Sequence, residues 1–465
     1  MGSPPTPEQP AWLAPALAYI PQWLAYQMRT SGQPGLAIAI ARGGEIVLEA
    51  AFGHADLGAG EPLTPRHRFR VASHSKSFTA AAIMKLREQG RVRLDDRAGD
   101  HIAGLHPDIA AASIAQLLSH TAGILRDGPD AAYWEGRAPF LDEARLRAEL
   151  ALPPAIEAGT RLKYSNHGFG LAGLMIEAVT GERYGPWVER EIVAPASLRE
   201  TTSDVPLPTG ARLAHGHGTK ALLGRRLVFA GDQSTDALAA ATGFISTAAD
   251  LARFFAQLDP EAETGVLTRA SRREMTRPQW PDSWSETKRN YGLGIISGAL
   301  DGWSWFGHSG GFQGYITRTA VVPAHHLAVS ILTNAIDGMA HEWLDGALSI
   351  LRRFEAAGPP GPATADWTGR WWSGWGAQDL VPMGERVLLA SPSLVKPFLD
   401  APELDVTGAD EAVISQAGAF HSHGETVRRL RGGDGAVREL RVAGSLLRPE
   451  AVLVEELAGP RAANP

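Results

Sequence analysis

Apolar spacing switches twice along this chain of 465 residues, and the switches call for a sheet assembled from both ends of a long helical stretch. Leu36-Ala37-Ile38-Ala39-Ile40-Ala41 and Glu45-Ile46-Val47-Leu48-Glu49-Ala50 flank Gly43-Gly44, which predicts a β-hairpin. Residues 77 to about 260 carry mostly helical spacing and loops; in 248–258, Leu251, Phe254, Phe255 and Leu258 fall at helical intervals. From about residue 291 the spacing returns to strands. Runs at 303–306, 315–322 and 327–332 predict a meander, followed by a helix over roughly 339–355, and another helix is expected at 11–30.

The stretch Ala356-Ala357-Gly358-Pro359-Pro360-Gly361-Pro362-Ala363-Thr364 opposes regular structure and reads as a linker. Beyond it, short β-type runs such as Arg386-Val387-Leu388-Leu389-Ala390 and Glu439-Leu440-Arg441-Val442-Ala443 predict a small antiparallel barrel or sandwich. The expected organisation is a domain at 1–355, a linker at 356–365 and a β-rich domain at 366–465. Trp367, Trp371, Trp372 and Trp375 are expected to form a buried packing cluster at its start.

A hydrophobic content of 44% with 20% charged residues fits a globular protein. The net charge of −7 and the lack of a long basic run argue against nucleic-acid binding. With no cysteine, thiol catalysis, disulfides and Cys-ligated zinc are excluded. No apolar run approaches the ~20 residues that span a bilayer, so no membrane partner is expected. The opening Met1-Gly2-Ser3-Pro4-Pro5-Thr6-Pro7-Glu8-Gln9-Pro10 has no basic segment before an apolar one; the expectation is a cytoplasmic protein, periplasmic if a leader has been removed.

Chemistry is first visible in Ser73-His74-Ser75-Lys76. Residues three apart share a helix face, so the hydroxyl and amine can hydrogen-bond, and Phe78, Ile83 and Leu86 give the following residues an apolar face. A helix starting near Ser73, with Gly90 as its stop, would aim backbone N–H groups at the serine. Ser-x-x-Lys recurs at Ser285 to Lys288 and Ser393 to Lys396, but the first lies in a polar stretch and the second is followed by Pro397. Only six of the 44 basic residues are lysines, and lysine, unlike arginine, loses its proton when desolvated.

Tyr164-Ser165-Asn166 precedes the glycine-rich apolar run 168–176; a tyrosine there could share a proton with Lys76, and Asn166 could bond a substrate amide. Gly307-His308-Ser309-Gly310-Gly311 also matches Gly-x-Ser-x-Gly, which would make Ser309 the nucleophile at a strand-to-helix elbow. No helical spacing follows it. The other reading sets His308 and Ser309 on an edge strand, where Gly310 and Gly311 let backbone N–H groups approach an oxyanion.

Ser73-x-x-Lys76, Tyr164-x-Asn166 and His308-x-Gly310, in that order, resemble the motifs of the serine β-lactamase and penicillin-binding-protein family. The likeness is to the class C-like branch that holds D-aminopeptidases, D-alanyl-D-alanine carboxypeptidases and family VIII esterases. Leu117-Leu118-Ser119-His120-Thr121-Ala122-Gly123-Ile124, Gly243-Phe244-Ile245-Ser246-Thr247 and Tyr291-Gly292-Leu293-Gly294 are similar to its other landmarks, and the resemblance spans about residues 30–350.

The resemblance implies an α/β (α+β) β-lactamase-like catalytic domain, with an antiparallel sheet flanked by helices and a helical subdomain; the C-terminal domain resembles the lipocalin-like barrel appended to D-aminopeptidases. By the same likeness Ser73 is the acylated nucleophile, Lys76 and Tyr164 the proton-transfer pair, and Asn166 a substrate-positioning group. Backbone N–H groups of Ser73 and Gly311 hold the oxyanion, with His308, Ser309 and Gly310 beside the substrate. His308 replaces the lysine common in β-lactamases and removes a permanent cation for a substrate carboxylate. The expected function is therefore hydrolysis of an amide or peptide bond through an acyl-enzyme, as in D-aminopeptidases or D-amino-acid amidases. The alternatives are a family VIII-type carboxylesterase, a weak β-lactamase, or a non-catalytic penicillin-binding-like ligand-binding or assembly protein.

The expected partner is a small-molecule or peptide substrate; the likeness and the residues leave the oligomeric state open. His215 and His217, His325 and His326, and His421 and His423 lack a His-Glu-x-x-His pattern or a carboxylate partner, so neither metal nor organic cofactor is expected.

Overall fold

A computed structural model describes residues 9–459. The segment 1–8, on which most of the expectation about a leader rests, lies outside the described residues, as does 460–465. The described residues divide into two compact units, one formed by 32–344 and the other by 9–31 together with 345–459.

Residues 32–344 contain a nine-stranded antiparallel sheet whose middle joins sequence-distant segments. The hairpin strands Gly35–Arg42 and Glu45–Asp56 pair through Gly43-Gly44, both at positive φ, as a tight turn between twisted strands requires. Strand Gly35–Arg42 then pairs with Leu327–Thr333, Ile38 opposite Ile331, although nearly 300 residues separate them. Tyr315–Val322 and Trp303–Phe312 extend the sheet outward. The sheet is closed by both ends of the region, as the switch in spacing implied.

Between these ends lie the helices. Ser75–Glu88 runs through the core, with Phe78 stacked on Phe244 and Phe254 at centroid distances of 4.2 and 3.8 Å. Asn166–Thr180 is buried on every side through Ile176, and after Asn166 and His167 that stretch is wholly apolar. Ala248–Gln257 lies on strands Gly35–Arg42 and Leu327–Thr333, where Ala37, Ala39 and Ala41 leave room for it. This mixed architecture matches the expected fold class.

The other unit holds an eight-stranded antiparallel sheet from Gly369–Ser373 to Ser445–Leu447, each strand pairing with its neighbour in sequence. Trp372 and Arg448 exchange backbone hydrogen bonds of 2.7 and 2.8 Å, which bring the two ends of the sheet together as a near-barrel. Trp367 and Trp371 fill its core with Leu380, Val387, Leu404, Ile414 and Leu440, whereas two of the four expected tryptophans lie outside that cluster, Trp372 half-buried and Trp375, at the hairpin turn, fully exposed.

Helix Leu13–Ser31, expected with residues up to 355, belongs to this unit: the Tyr19 hydroxyl donates to Asp379 Oδ2 (3.0 Å) and Trp23 Nε1 to the Leu394 carbonyl (3.1 Å). The glycine-proline stretch follows helix Ala340–Ala357 and is itself fastened, Gly361 N–H donating to the Gly384 carbonyl at 2.8 Å.

Candidate active site

Every residue from 71 to 84 is buried except Ser73. Ser73 sits in the single turn Ala72–His74, immediately before the Ser75–Glu88 helix, and Ala72 enters that turn at φ +48°, a conformation costly for alanine. The surroundings fix it. Ser75 Oγ donates to the Ala72 carbonyl (2.6 Å) and accepts from Phe244 N–H (3.0 Å), while Val71 N–H donates to the Phe244 carbonyl (3.0 Å). His74 bridges the Val71 carbonyl and Thr319 Oγ1, each at 3.0 Å, and burial drives its pKa down to about 3.

Lys76, fully buried, places Nζ 3.1 Å from Ser73 Oγ, 2.7 Å from Asn166 Oδ1 and 2.8 Å from the Ala241 carbonyl. Burial holds its pKa well below the usual lysine range; Asp127 opposes this, and Arg126 adds to it. A neutral amine suits these three neighbours: its two N–H bonds meet two obligate acceptors and its lone pair faces a hydroxyl that can donate.

Asn166 turns Nδ2 to Asp127 Oδ1 at 2.5 Å, so both ends of its amide are engaged inside the protein. Asp127 Oδ1 also accepts from Trp134 Nε1 (2.9 Å), and Oδ2 faces the exposed Arg126 guanidinium at 3.1 Å.

Tyr164 lies against the same lysine, Nζ being 4.8 Å from its ring centroid. The residue is half-buried, yet burial around the hydroxyl pushes the phenol pKa well up; the neighbouring Ser73 hydroxyl and Arg126 work against that rise. Its loop is closed at Ser165, which caps helix Asn166–Thr180 by accepting from Gly168 N–H (2.9 Å) and donates to the Leu125 carbonyl (2.6 Å).

The third segment lies within strand Trp303–Phe312. Its first half pairs on both sides, but pairing with Ile296–Leu300 stops at Gly307, so residues 308–312 form a free edge on that side. Gly310 is required here: a Cβ would lie 2.2 Å from the Val71 carbonyl, so only glycine lets the strand reach the Ser73 turn. Gly311 is exposed and Ser309 half-buried.

His308 is only 2% exposed, with Nε2 2.9 Å from the Tyr291 hydroxyl and Nδ1 2.7 Å from the Ser309 carbonyl. A neutral imidazole satisfies these neighbours in either tautomer, since the Tyr291 hydroxyl can donate or accept and Nδ1 meets both the Ser309 carbonyl and the Ser309 N–H (3.0 Å); burial, then His74 and Lys76, hold its pKa well below the usual histidine range. Ser309 sits mid-strand, followed by a turn and the next strand, Tyr315–Val322, so the strand-to-helix elbow is not formed.

The structure thus gathers Ser73, Lys76, Tyr164 and Asn166 around one amine and sets the 308–311 edge against the Ser73 turn. Ser285 and Ser393 open no helix. Among the described residues, no three His, Asp or Glu side chains could hold a metal ion. Asp127, Tyr291 and His120 also belong to the cluster. No motif marks Asp127 in the sequence; Tyr291 and His120 stand in recognisable segments, but spacing alone gives them no role.

The β-lactamase family profile matches residues 20–346. Protein flp of Staphylococcus aureus (strain MW2) is 30% identical over 176 residues, 36% of this chain; the chain spans 34% of that relative's length. In structure, the chain is similar to an octameric penicillin-binding protein homologue from Pyrococcus abyssi, with a TM-score of 0.65, 22% identity, and coverage of 93% of this chain and 100% of that one. It is also similar to a D-stereospecific amidohydrolase from Streptomyces sp., with a TM-score of 0.57, 28% identity, and coverage of 68% of this chain and 94% of that one. The family match over most of the chain shows that it belongs to the β-lactamase family of serine hydrolases.

Proposed function

We propose that this protein hydrolyses an amide bond of a small aminoacyl or peptide substrate through an acyl-enzyme on Ser73, with Lys76 as the base. The observation that carries the reading is the set of neighbours around Lys76 Nζ: two carbonyl-type acceptors and the Ser73 hydroxyl, in a place where burial favours the free amine. Ser73 Oγ attacks the substrate carbonyl as its proton passes to Lys76. The Tyr164 phenol keeps its proton in the resting state and stands beside Ser73, where it relays a proton to the leaving nitrogen as the C–N bond breaks. Water then attacks the ester of Ser73, giving the free acid and restoring the hydroxyl. Backbone N–H groups of Ser73 and of Gly311 on the free edge hold the oxyanion.

Charge favours an acyl group that bears an amine. His308 is neutral and internally bonded, so it offers no cation to a substrate carboxylate, whereas the Asp127 carboxylate lies one residue beyond Lys76. An incoming ammonium exchanges with the exposed Arg126 for Asp127 Oδ2. Similarity to a D-stereospecific amidohydrolase supports a D-aminoacyl preference. A panel of D- and L-aminoacyl nitroanilides beside short nitrophenyl esters tests it: D-aminoacyl anilides should turn over fastest among the amides. Turnover of esters alone refutes the amidase reading and leaves the esterase.

A further inference from the structure

Tyr164 is carried by a loop, and a single residue, His120, grips that loop on both sides of it. Lys163 N–H donates to the His120 carbonyl (2.6 Å) and Ser165 N–H donates to His120 Nδ1 (3.1 Å). The imidazole also lies on the phenol, with ring centroids 4.1 Å apart, and Tyr291 and Phe169 close on it at 4.6 and 5.1 Å. Because Nδ1 accepts, the ring proton sits on Nε2, which is buried and has no hydrogen-bond partner.

Two unfavourable features meet in this one residue: the backbone of His120 is held at φ +58°, and half of its hydrogen-bonding capacity is unused. Glycine would relieve the first and remove the second. A histidine makes sense there if both its acceptor nitrogen and its ring face are needed.

We propose that His120 is a positioning residue that holds the Tyr164 hydroxyl at Ser73, acting as a neutral acceptor and stacking platform. Its charged and titratable neighbours are Lys76 on the helix, Lys163 and Tyr164 on the loop, and Tyr291 and His308 on the sheet. The inference rests on the proposed role of Tyr164 in proton transfer.

The test compares His120→Asn, His120→Gly and His120→Leu with wild type, reading the steady-state constants for an aminoacyl nitroanilide, whose leaving nitrogen needs the proton, beside those for a nitrophenyl ester and the rate of phosphonate adduct formation on Ser73, which do not. Asparagine tolerates positive φ and its Oδ1 replaces Nδ1; glycine relieves the backbone but supplies neither acceptor nor ring. The glycine and leucine variants should lose about 10²-fold in kcat on the anilide, with KM within about threefold, and asparagine should recover about tenfold of that loss, while ester turnover and the adduct rate stay within about threefold of wild type. If leucine prevents folding, the glycine variant carries the comparison. A glycine variant that cleaves the anilide within about twofold of wild type, one that loses as much on the ester as on the anilide, or an asparagine variant no faster on the anilide than the glycine variant, overturns the proposal. Ser73→Ala separates the two readings: an adduct that persists without Ser73 refutes the acyl-enzyme, whereas a Ser73-dependent adduct with anilide turnover indifferent to His120 refutes only the positioning role.

Discussion

Lys76 Nζ is 2.7 Å from Asn166 Oδ1 and 3.1 Å from Ser73 Oγ, so the amide beside the lysine holds it more closely than the hydroxyl it faces. Asn166 in turn leans on Asp127 at 2.5 Å, which makes the position and charge of the amine depend on a carboxylate outside the recognisable motifs. Asn166→Ala should therefore lower kcat by about 10²-fold through misplacement of the amine, with KM less affected.

Asp127 raises the Lys76 pKa against the effect of burial. Removing its charge in Asp127→Asn lowers that pKa further, so a base that must be deprotonated becomes active at lower pH. The acid limb of kcat/KM for a neutral ester should move down by roughly half to one pH unit. An upward shift would contradict the assignment of Lys76 as base.

Adjacent glycines should behave differently. A Cβ on Gly310 meets the Val71 carbonyl at 2.2 Å, whereas one on Gly311 has only Ile316 Cδ1 nearby, at 3.5 Å. Gly310→Ala should cost about 1–3 kcal/mol of stability and most of the activity, as the strand is forced off the Ser73 turn. Gly311→Ala should unfold within about 0.5 kcal/mol of wild type in denaturant titrations.

Acid should destabilise the fold through His74. Unfolded, its imidazole binds a proton near the usual pH ~6.5; folded, burial delays this to about 3. The unfolded state holds the extra proton between those values, so stability is complete above about 6.5 and falls as pH drops toward 3, by up to about 1.4 kcal/mol per unit. His308 and His120, also depressed by burial, act in the same direction. His74→Gln should flatten the slope of stability against pH, whatever its effect on absolute stability.

In the near-barrel unit, Asp379 is 4% exposed and accepts from Tyr19 at 3.0 Å and from Arg370 at 2.7 and 2.9 Å. Asp379→Ala leaves Arg370 without its carboxylate and frees helix Leu13–Ser31 from the sheet. A loss of about 3 kcal/mol is expected for that unit, with faster amide exchange in the helix.

Much of this was legible in the sequence because it rests on local rules. The Gly43-Gly44 hairpin, the apolar spacing of 248–258 and the meander after residue 300 follow from turn chemistry and periodicity, and the Ser73 to Lys76 spacing places its two groups on one face. What stayed hidden depends on long-range contacts. The tight turn Ala72–His74 that leads into the helix is fixed by Phe244 and Thr319, which lie more than 160 residues away along the chain. Asp127 has no spacing signal, since its partners Asn166 and Trp134 meet it only in the folded chain. No spacing pairs His308 with Tyr291, 17 residues earlier, which meets its ring only in the folded chain. Helix Leu13–Ser31 gives no hint in its own residues that its polar partners lie more than 350 residues away.

Intact-mass measurement after treatment with a serine-reactive phosphonate tests the acyl-enzyme on Ser73 most directly. Wild type and Ser309→Ala should each gain one adduct, and Ser73→Ala should gain none while melting as wild type does. An adduct that survives Ser73→Ala, or one lost with Ser309→Ala instead, would contradict the account.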